Sequence, residues 1–205
     1  GLLLEEMKRL GLYDSTWIIV TSDHGEMLGE HGLFGHGKKM HQEEIHIPLL
    51  MKYPEGEAAA GTVDDDIQLT DIMPMVLRRL GLSEPAGMQG GVPPKPGHPL
   101  IAEYYPLEFL SPDGDTRVII EGSMKYLWSA RGGEALYDLA ADPAELRNLI
   151  DNPAHDKTRR KLARRLTAYF ARVADPKWDL WNGGTSKTGL ITAKLFANPG
   201  PAPPP

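Results

Sequence analysis

Five of the seven histidines, His24, His31, His36, His41 and His46, fall within 23 residues that also hold Glu26, Glu30, Lys38 and Lys39, with Asp23 directly before them. An aspartate followed directly by a histidine, Asp23-His24, offers a carboxylate oxygen beside an imidazole nitrogen. That donor set can grip a divalent cation, whether a hard one or zinc. Lysine and histidine donors beside a cation suit a site in which negative charge must be held.

The elements around this cluster place it. Thr16-Trp17-Ile18-Ile19-Val20-Thr21 is a short apolar run rich in β-branched residues, the pattern of a strand covered on both faces in an α/β sheet. Asp23 and His24 then stand at its carboxyl end, where open α/β sheets bind their ligands. Residues 25 to 44 have no sustained period and read as a long functional loop leading to a short helical turn. A second buried strand is expected over Ile47 to Tyr53. A helix from about Thr70 to Leu80 should follow, N-capped by Thr70 and ended at Gly81.

Ahead of the first strand, Leu2, Leu3, Leu4, Met7 and Leu10 have helical spacing, and Gly11 is suited to stop that helix. The chain opens on Gly1 and passes straight into this pattern, so the sequence reads as a segment entered within a helix. Residues 83 to 99 are dense in Pro and Gly and mark a boundary. Beyond them, Leu100–Tyr104, Arg117–Glu121, Lys125–Ser129 and Ala135–Asp138 are separated by turn signals, including Pro112-Asp113-Gly114, and predict an antiparallel meander. A helix over about Ala154 to Val173 should pack on it through Leu162, Leu166, Tyr169, Phe170 and Val173, its basic residues facing solvent. Three parts result: 1–98 with the cluster, 99–174 as a small α+β unit, and 175–205 as an extended Pro/Gly-rich tail.

The 205 residues include 41% hydrophobic and 24% charged residues, enough to bury a core without disulfides. A formal net charge of -6 argues against nucleic acid as a partner. No apolar run approaches the roughly 20 residues of a membrane span. There is no cysteine, which removes disulfides, thiolate metal ligands and a cysteine nucleophile from this segment.

The stretch Thr21-Ser22-Asp23-His24-Gly25-Glu26-Met27-Leu28-Gly29-Glu30-His31-Gly32-Leu33-Phe34-Gly35-His36-Gly37-Lys38, with Glu43-Glu44-Ile45-His46-Ile47-Pro48-Leu49-Leu50 after it, resembles the sulfatases of the alkaline phosphatase superfamily. Gln68-Leu69-Thr70-Asp71-Ile72-Met73-Pro74 is similar to a helix motif of that family. Ala135-Leu136-Tyr137-Asp138-Leu139-Ala140-Ala141-Asp142-Pro143-Ala144-Glu145-Leu146-Arg147-Asn148-Leu149 is similar to its ending. The resemblance implies an alkaline-phosphatase-like α/β sheet, here in part, followed by a small C-terminal antiparallel sheet and helix.

By the same resemblance Asp23 and His24 match the second pair of metal ligands, His36 matches a histidine that binds the sulfate or phosphate group, and Lys38 stands near a lysine that contacts the same anion. The cation would be Ca²⁺ first, with Mg²⁺, Mn²⁺ or Zn²⁺ as alternatives. His24 stands where the better-known arylsulfatases have Asn, and the turn that they write with two glycines reads Gln42-Glu43-Glu44. His31, His41 and His46 are read as structural, Glu43 and Glu44 as turn caps, and Asp64 to Asp66 as a solvated loop.

The family's formylglycine is made from Cys or Ser in a Cys/Ser-x-Pro-Ser-Arg motif, and neither that motif nor the first metal pair occurs in this segment. The expectation is the C-terminal part of a metal-dependent sulfatase, inert by itself, whose parent hydrolyses a small-molecule or glycan sulfate ester. The alternatives are a phosphonate monoester or phosphodiester hydrolase, or a phosphoglycol or phosphoethanolamine transferase, of the same superfamily, and a non-catalytic binding domain. A sheet present in part exposes strand edges and apolar faces, so the isolated segment is expected to aggregate or form a homo-oligomer.

Overall fold

A computed structural model describes residues 1–37, 39–55, 57–58, 60–91, 98–104 and 114–173. Lys38, Pro112-Asp113 of the expected turn and the tail from 175 lie outside the described residues.

The short runs and intervening turns of the second half build a four-stranded antiparallel sheet from β5 (Leu100–Tyr104), β6 (Thr116–Glu121), β7 (Met124–Ser129) and β8 (Gly133–Asp138), ordered as in the chain. Its register aligns Ile119 with Tyr126 and Tyr126 with Leu136 in one cross-strand row. Helix α4 (Asp156–Val173) lays Leu162, Leu166 and Phe170 against that row, and all six residues are buried. At about 1.5–3 kcal/mol for each large apolar side chain removed from water, this cluster dominates the stability of the region. Arg117, on the same face, is buried with its guanidinium 3.8 Å from the centre of the Phe170 ring. The basic side of α4 is not merely solvated: Lys161 and Arg165 both pair with Glu121, and Arg159 bridges Glu134 and Asp156.

The opposite face of the sheet, which presents Lys125 and Tyr137, is turned to the first half of the chain. There α1 (Leu2–Arg9) stops as expected, with Gly11 at φ 68°. Strand β1 (Ile18–Thr21) pairs antiparallel with β4 (Leu49–Lys52), in a ribbon that among the described residues has these two strands. The expectation of buried strands is corrected here: Val20 and Leu50 remain 55% and 60% exposed. Their β-branched and apolar character favours strand, while burial depends on what lies against the faces, and among the described residues little covers this ribbon.

Helix α3 runs over Leu69–Arg79, one residue earlier than expected, and its cap is Gln68 rather than Thr70. The Asp71 N–H donates to the Gln68 backbone carbonyl at 2.8 Å, and the Asp71 carboxylate accepts from the Gln68 N–H at 3.0 Å, so the first turn is closed from both sides. Pro74 inside the helix has no N–H for the Thr70 carbonyl. Gly90 packs against that carbonyl so closely that a Cβ would lie 1.9 Å from its oxygen, and Gly91 donates to Asp71 at 2.8 Å. Part of the Pro/Gly-rich boundary is therefore docked on the start of α3.

Candidate metal and anion site

Strand β1 delivers Ser22, Asp23 and His24 at its end, and the turn is fixed locally. Asp23 Oδ1 accepts the His24 N–H at 2.9 Å, Ser22 Oγ donates to the His24 carbonyl at 2.5 Å, and Thr21 Oγ1 donates to the Pro48 carbonyl at 2.9 Å. The hydrogen bond from the His24 N–H, and then the nearby imidazole charge, hold the Asp23 carboxyl below its ordinary range. His24 is pushed up, chiefly because Nδ1 lies 2.8 Å from the Gly25 carbonyl, which favours the protonated ring.

His36 reaches the same place by a different route. A two-rung antiparallel ribbon joins β2 (Met27–Leu28) to β3 (Phe34–Gly35), with Met27 opposite Gly35. The next pair outward is Glu26 and His36, and the Glu26 carboxylate meets His36 Nδ1 at 2.8 Å. Met27, only 1% exposed, anchors the ribbon. Gly37, at φ 68°, lies so close to Tyr104 of β5 that a Cβ would be 2.5 Å from the phenol oxygen. A side chain at the position after His36 would have to displace the Tyr104 ring of the C-terminal sheet.

The rings of His24 and His36 approach to 4.3 Å between centroids. Among the described residues, His24, Glu26 and His36 are the group whose donor atoms lie within 4.8 Å of one another, all three exposed to solvent. Two imidazoles and a carboxylate at this spacing can hold a divalent cation. With Nδ1 engaged by Glu26, His36 keeps Nε2 for a cation or an anionic oxygen. Asp23 lies at the edge of this group, its Oδ2 3.7 Å from His24 Nε2 and its side chain 85% exposed.

Of the residues expected from sequence, the structure therefore brings His24 and His36 together, with Asp23 beside them. Glu26 was not expected; the signal for it is the ribbon register, which a loop reading of residues 25 to 44 concealed. His31 and His41 stack face to face at 3.8 Å and 5° and are not part of that group, and His41 is buried beside Tyr137. Glu44 caps the loop, its carboxylate accepting the Met40 N–H at 2.7 Å, as a turn cap should.

The sulfatase family model matches residues 1–82 of this chain, and relatives that bear the sulfatase name match over most of its length. An uncharacterised sulfatase, YidJ, of Escherichia coli K12 is 30% identical over 177 residues, which cover 82% of this chain and 35% of that protein. The crystal structure of a phosphonate monoester hydrolase of Agrobacterium radiobacter superposes with a TM-score of 0.74 at 28% identity, covering 86% of this chain and 39% of that one. A protein solved in complex with its substrate D-glucosamine-2-N,6-O-disulfate superposes with a TM-score of 0.73 at 26% identity, covering 86% and 38%. The chain spans between a third and two fifths of the length of these relatives.

Proposed function

We propose that these residues supply the cation and anion-binding part of a hydrolase that converts a sulfate ester and water to an alcohol and sulfate. The observation that carries this is the convergence of His24 and His36, 4.3 Å apart, at the end of β1 beside Asp23. Their donor chemistry fits a divalent cation, Ca²⁺ first and Mg²⁺, Mn²⁺ or Zn²⁺ otherwise, held by Asp23 and His24. When bound, such an ion supplies Lewis-acid polarisation of an ester oxygen.

The chain's own groups do the rest. The Glu26 carboxylate accepts from His36 Nδ1–H and fixes the ring; in the imidazolium form, Nε2–H donates to an oxygen on which charge builds during transfer. Lys38, two residues on, is the second donor in this proposal. With no cysteine and no Ser-x-Pro-x-Arg in the chain, a formylglycine nucleophile must come from outside these residues, and the segment alone is inert. A sulfated sugar as substrate class is supported by the relative solved with a disulfated glucosamine.

A second reading, hydrolysis of a phosphonate monoester or phosphodiester at the same site, is supported by the likeness to the Agrobacterium enzyme. One assay separates the two. The full-length protein carrying these residues is offered the p-nitrophenyl sulfate ester and the corresponding phosphate mono- and diesters, beside its Asp23→Ala and His36→Ala variants. Release from the sulfate ester, lost in both variants, supports the first reading; faster release from the diester supports the second. No release from any ester, with the protein folded, refutes both.

A further inference from the structure

The stretch Asp142-Pro143-Ala144-Glu145-Leu146 is part of the family resemblance but plays no part in the site as built above. Its Glu145 side chain and that of Lys125 on β7 are both wholly buried, and the two pair at 2.6 Å. Both face away from α4, toward the loop that follows His36. Lys125 Nζ donates to the Met40 carbonyl at 2.6 Å, and Glu145 Oε2 accepts the Gln42 N–H at 2.7 Å while lying 3.3 Å from His41 Nδ1. Three consecutive residues of the loop are therefore gripped by one buried ion pair.

Two backbone conformations are held in the same place. Met40 and Glu145 stand at φ 56° and 52°, a left-handed region that residues with a side chain avoid unless their surroundings impose it. A buried ion pair is a poor device for stability alone, since apolar residues of similar size commonly serve as well. What charged groups supply here is direction: a donor for one carbonyl and an acceptor for one amide, each at a fixed point.

The grip reaches the site in both directions. Upstream, Met40 lies four residues from His36. Downstream, Gln42 opens α2 (Gln42–Ile45), and the Glu44 carbonyl at its end accepts the N–H of Gly25, next to His24. We propose that Lys125 and Glu145 are positioning residues, which hold Met40, His41 and Gln42 so that the loop bearing His36 and the strand end bearing Asp23 and His24 keep their mutual geometry. The inference rests on the reading of that site given under the proposed function.

The test uses the full-length protein and the double variant Lys125→Met/Glu145→Leu, which removes both charges together and avoids leaving one buried alone. Three quantities are read: the thermal midpoint, amide hydrogen exchange of residues 35–44, and kcat on whichever ester the parent hydrolyses. The expected result is a midpoint close to the parent's, exchange across the loop at least tenfold faster, and kcat at least tenfold lower. Unchanged loop exchange in the folded double variant overturns the proposal, as does an unchanged kcat.

Should the double variant fail to fold, Glu145→Gln and Glu145→Ala replace it. Only Gln keeps an acceptor for the Gln42 N–H, so loop protection and kcat must be retained better in Gln than in Ala; equal loss in both overturns the proposal. If the parent hydrolyses none of the esters, the proposed function fails, while the exchange measurements still decide the positioning role.

Discussion

The N–H of Gly25 donates to the carbonyl of Glu44 at 2.8 Å, and a Cβ at Gly25 would stand 2.0 Å from the carbonyl oxygen of Glu43. Here backbone meets backbone, so no flexible side chain can give way. Only glycine lets the β1 strand end close on α2. Gly25→Ala is expected to cost about 1–3 kcal/mol, the range for overpacking at a close contact, and to part Asp23 and His24 from the loop. Denaturant unfolding of the full-length protein checks this; an unaltered midpoint contradicts it.

The buried ion pair has a signature in acid. Burial alone would raise the Glu145 carboxyl, but His41, Lys125 and the Gln42 N–H outweigh it and hold the group below its ordinary 4.5. The unfolded chain therefore binds the proton first as pH falls. Glu145 contributes its full stabilisation above about pH 4.5, and the contribution is lost as pH drops through the lower folded value. Glu145→Gln should flatten this acid limb and, by leaving Lys125 unpaired, lower stability at neutral pH by about 3–5 kcal/mol. Urea midpoints measured from pH 3 to 7 in both proteins test it, and parallel curves would contradict it.

How much of this was legible depends on the range of the interactions. Turn signals between short runs in the second half and period 3.6 in Leu162, Leu166 and Phe170 are local signals, and the four-stranded sheet with α4 stands where they put it. The strand end carrying Asp23 and His24 was legible for the same reason. The burial of β1 was not, because an apolar run reports what a strand prefers to lie against and not what covers it. Glu26 was missed because it meets His36 only through a ribbon of two rungs, too short to show a period. Lys125 and Glu145 lie 20 residues apart and touch a loop some 85 to 105 residues upstream; a lysine in a strand pattern carries no local mark of such a partner.

Leu166 offers a plain test of the core. It is fully buried, at the centre of the α4 face that meets Ile119, Tyr126 and Leu136. Leu166→Ala removes its transfer free energy and leaves a cavity that sheet and helix can close only in part, for an expected loss of about 2–5 kcal/mol. Loop exchange around His36 should change far less than global stability, since Lys125 and Glu145 grip the loop from the other face of the sheet. A loss under about 1 kcal/mol would mean that α4 is not seated as described.

Glu26 can act in two ways, and a double-mutant cycle distinguishes them. As the partner that orients His36 through the 2.8 Å contact to Nδ1, it works only while the imidazole is there. His36→Ala should then lower kcat by roughly 10²–10³-fold, the range for one lost donor to a developing anion. Glu26→Ala should lower it by roughly 10–100-fold, and should add little on top of His36→Ala. As an independent cation ligand, by contrast, Glu26 would multiply its effect onto that of His36, and Glu26→Ala would raise the cation concentration needed after chelator treatment. The 2.8 Å contact favours the first outcome: full-length protein stripped with chelator should regain activity at the same cation concentration with or without the Glu26 carboxylate, while Asp23→Ala and His24→Ala shift that concentration upward.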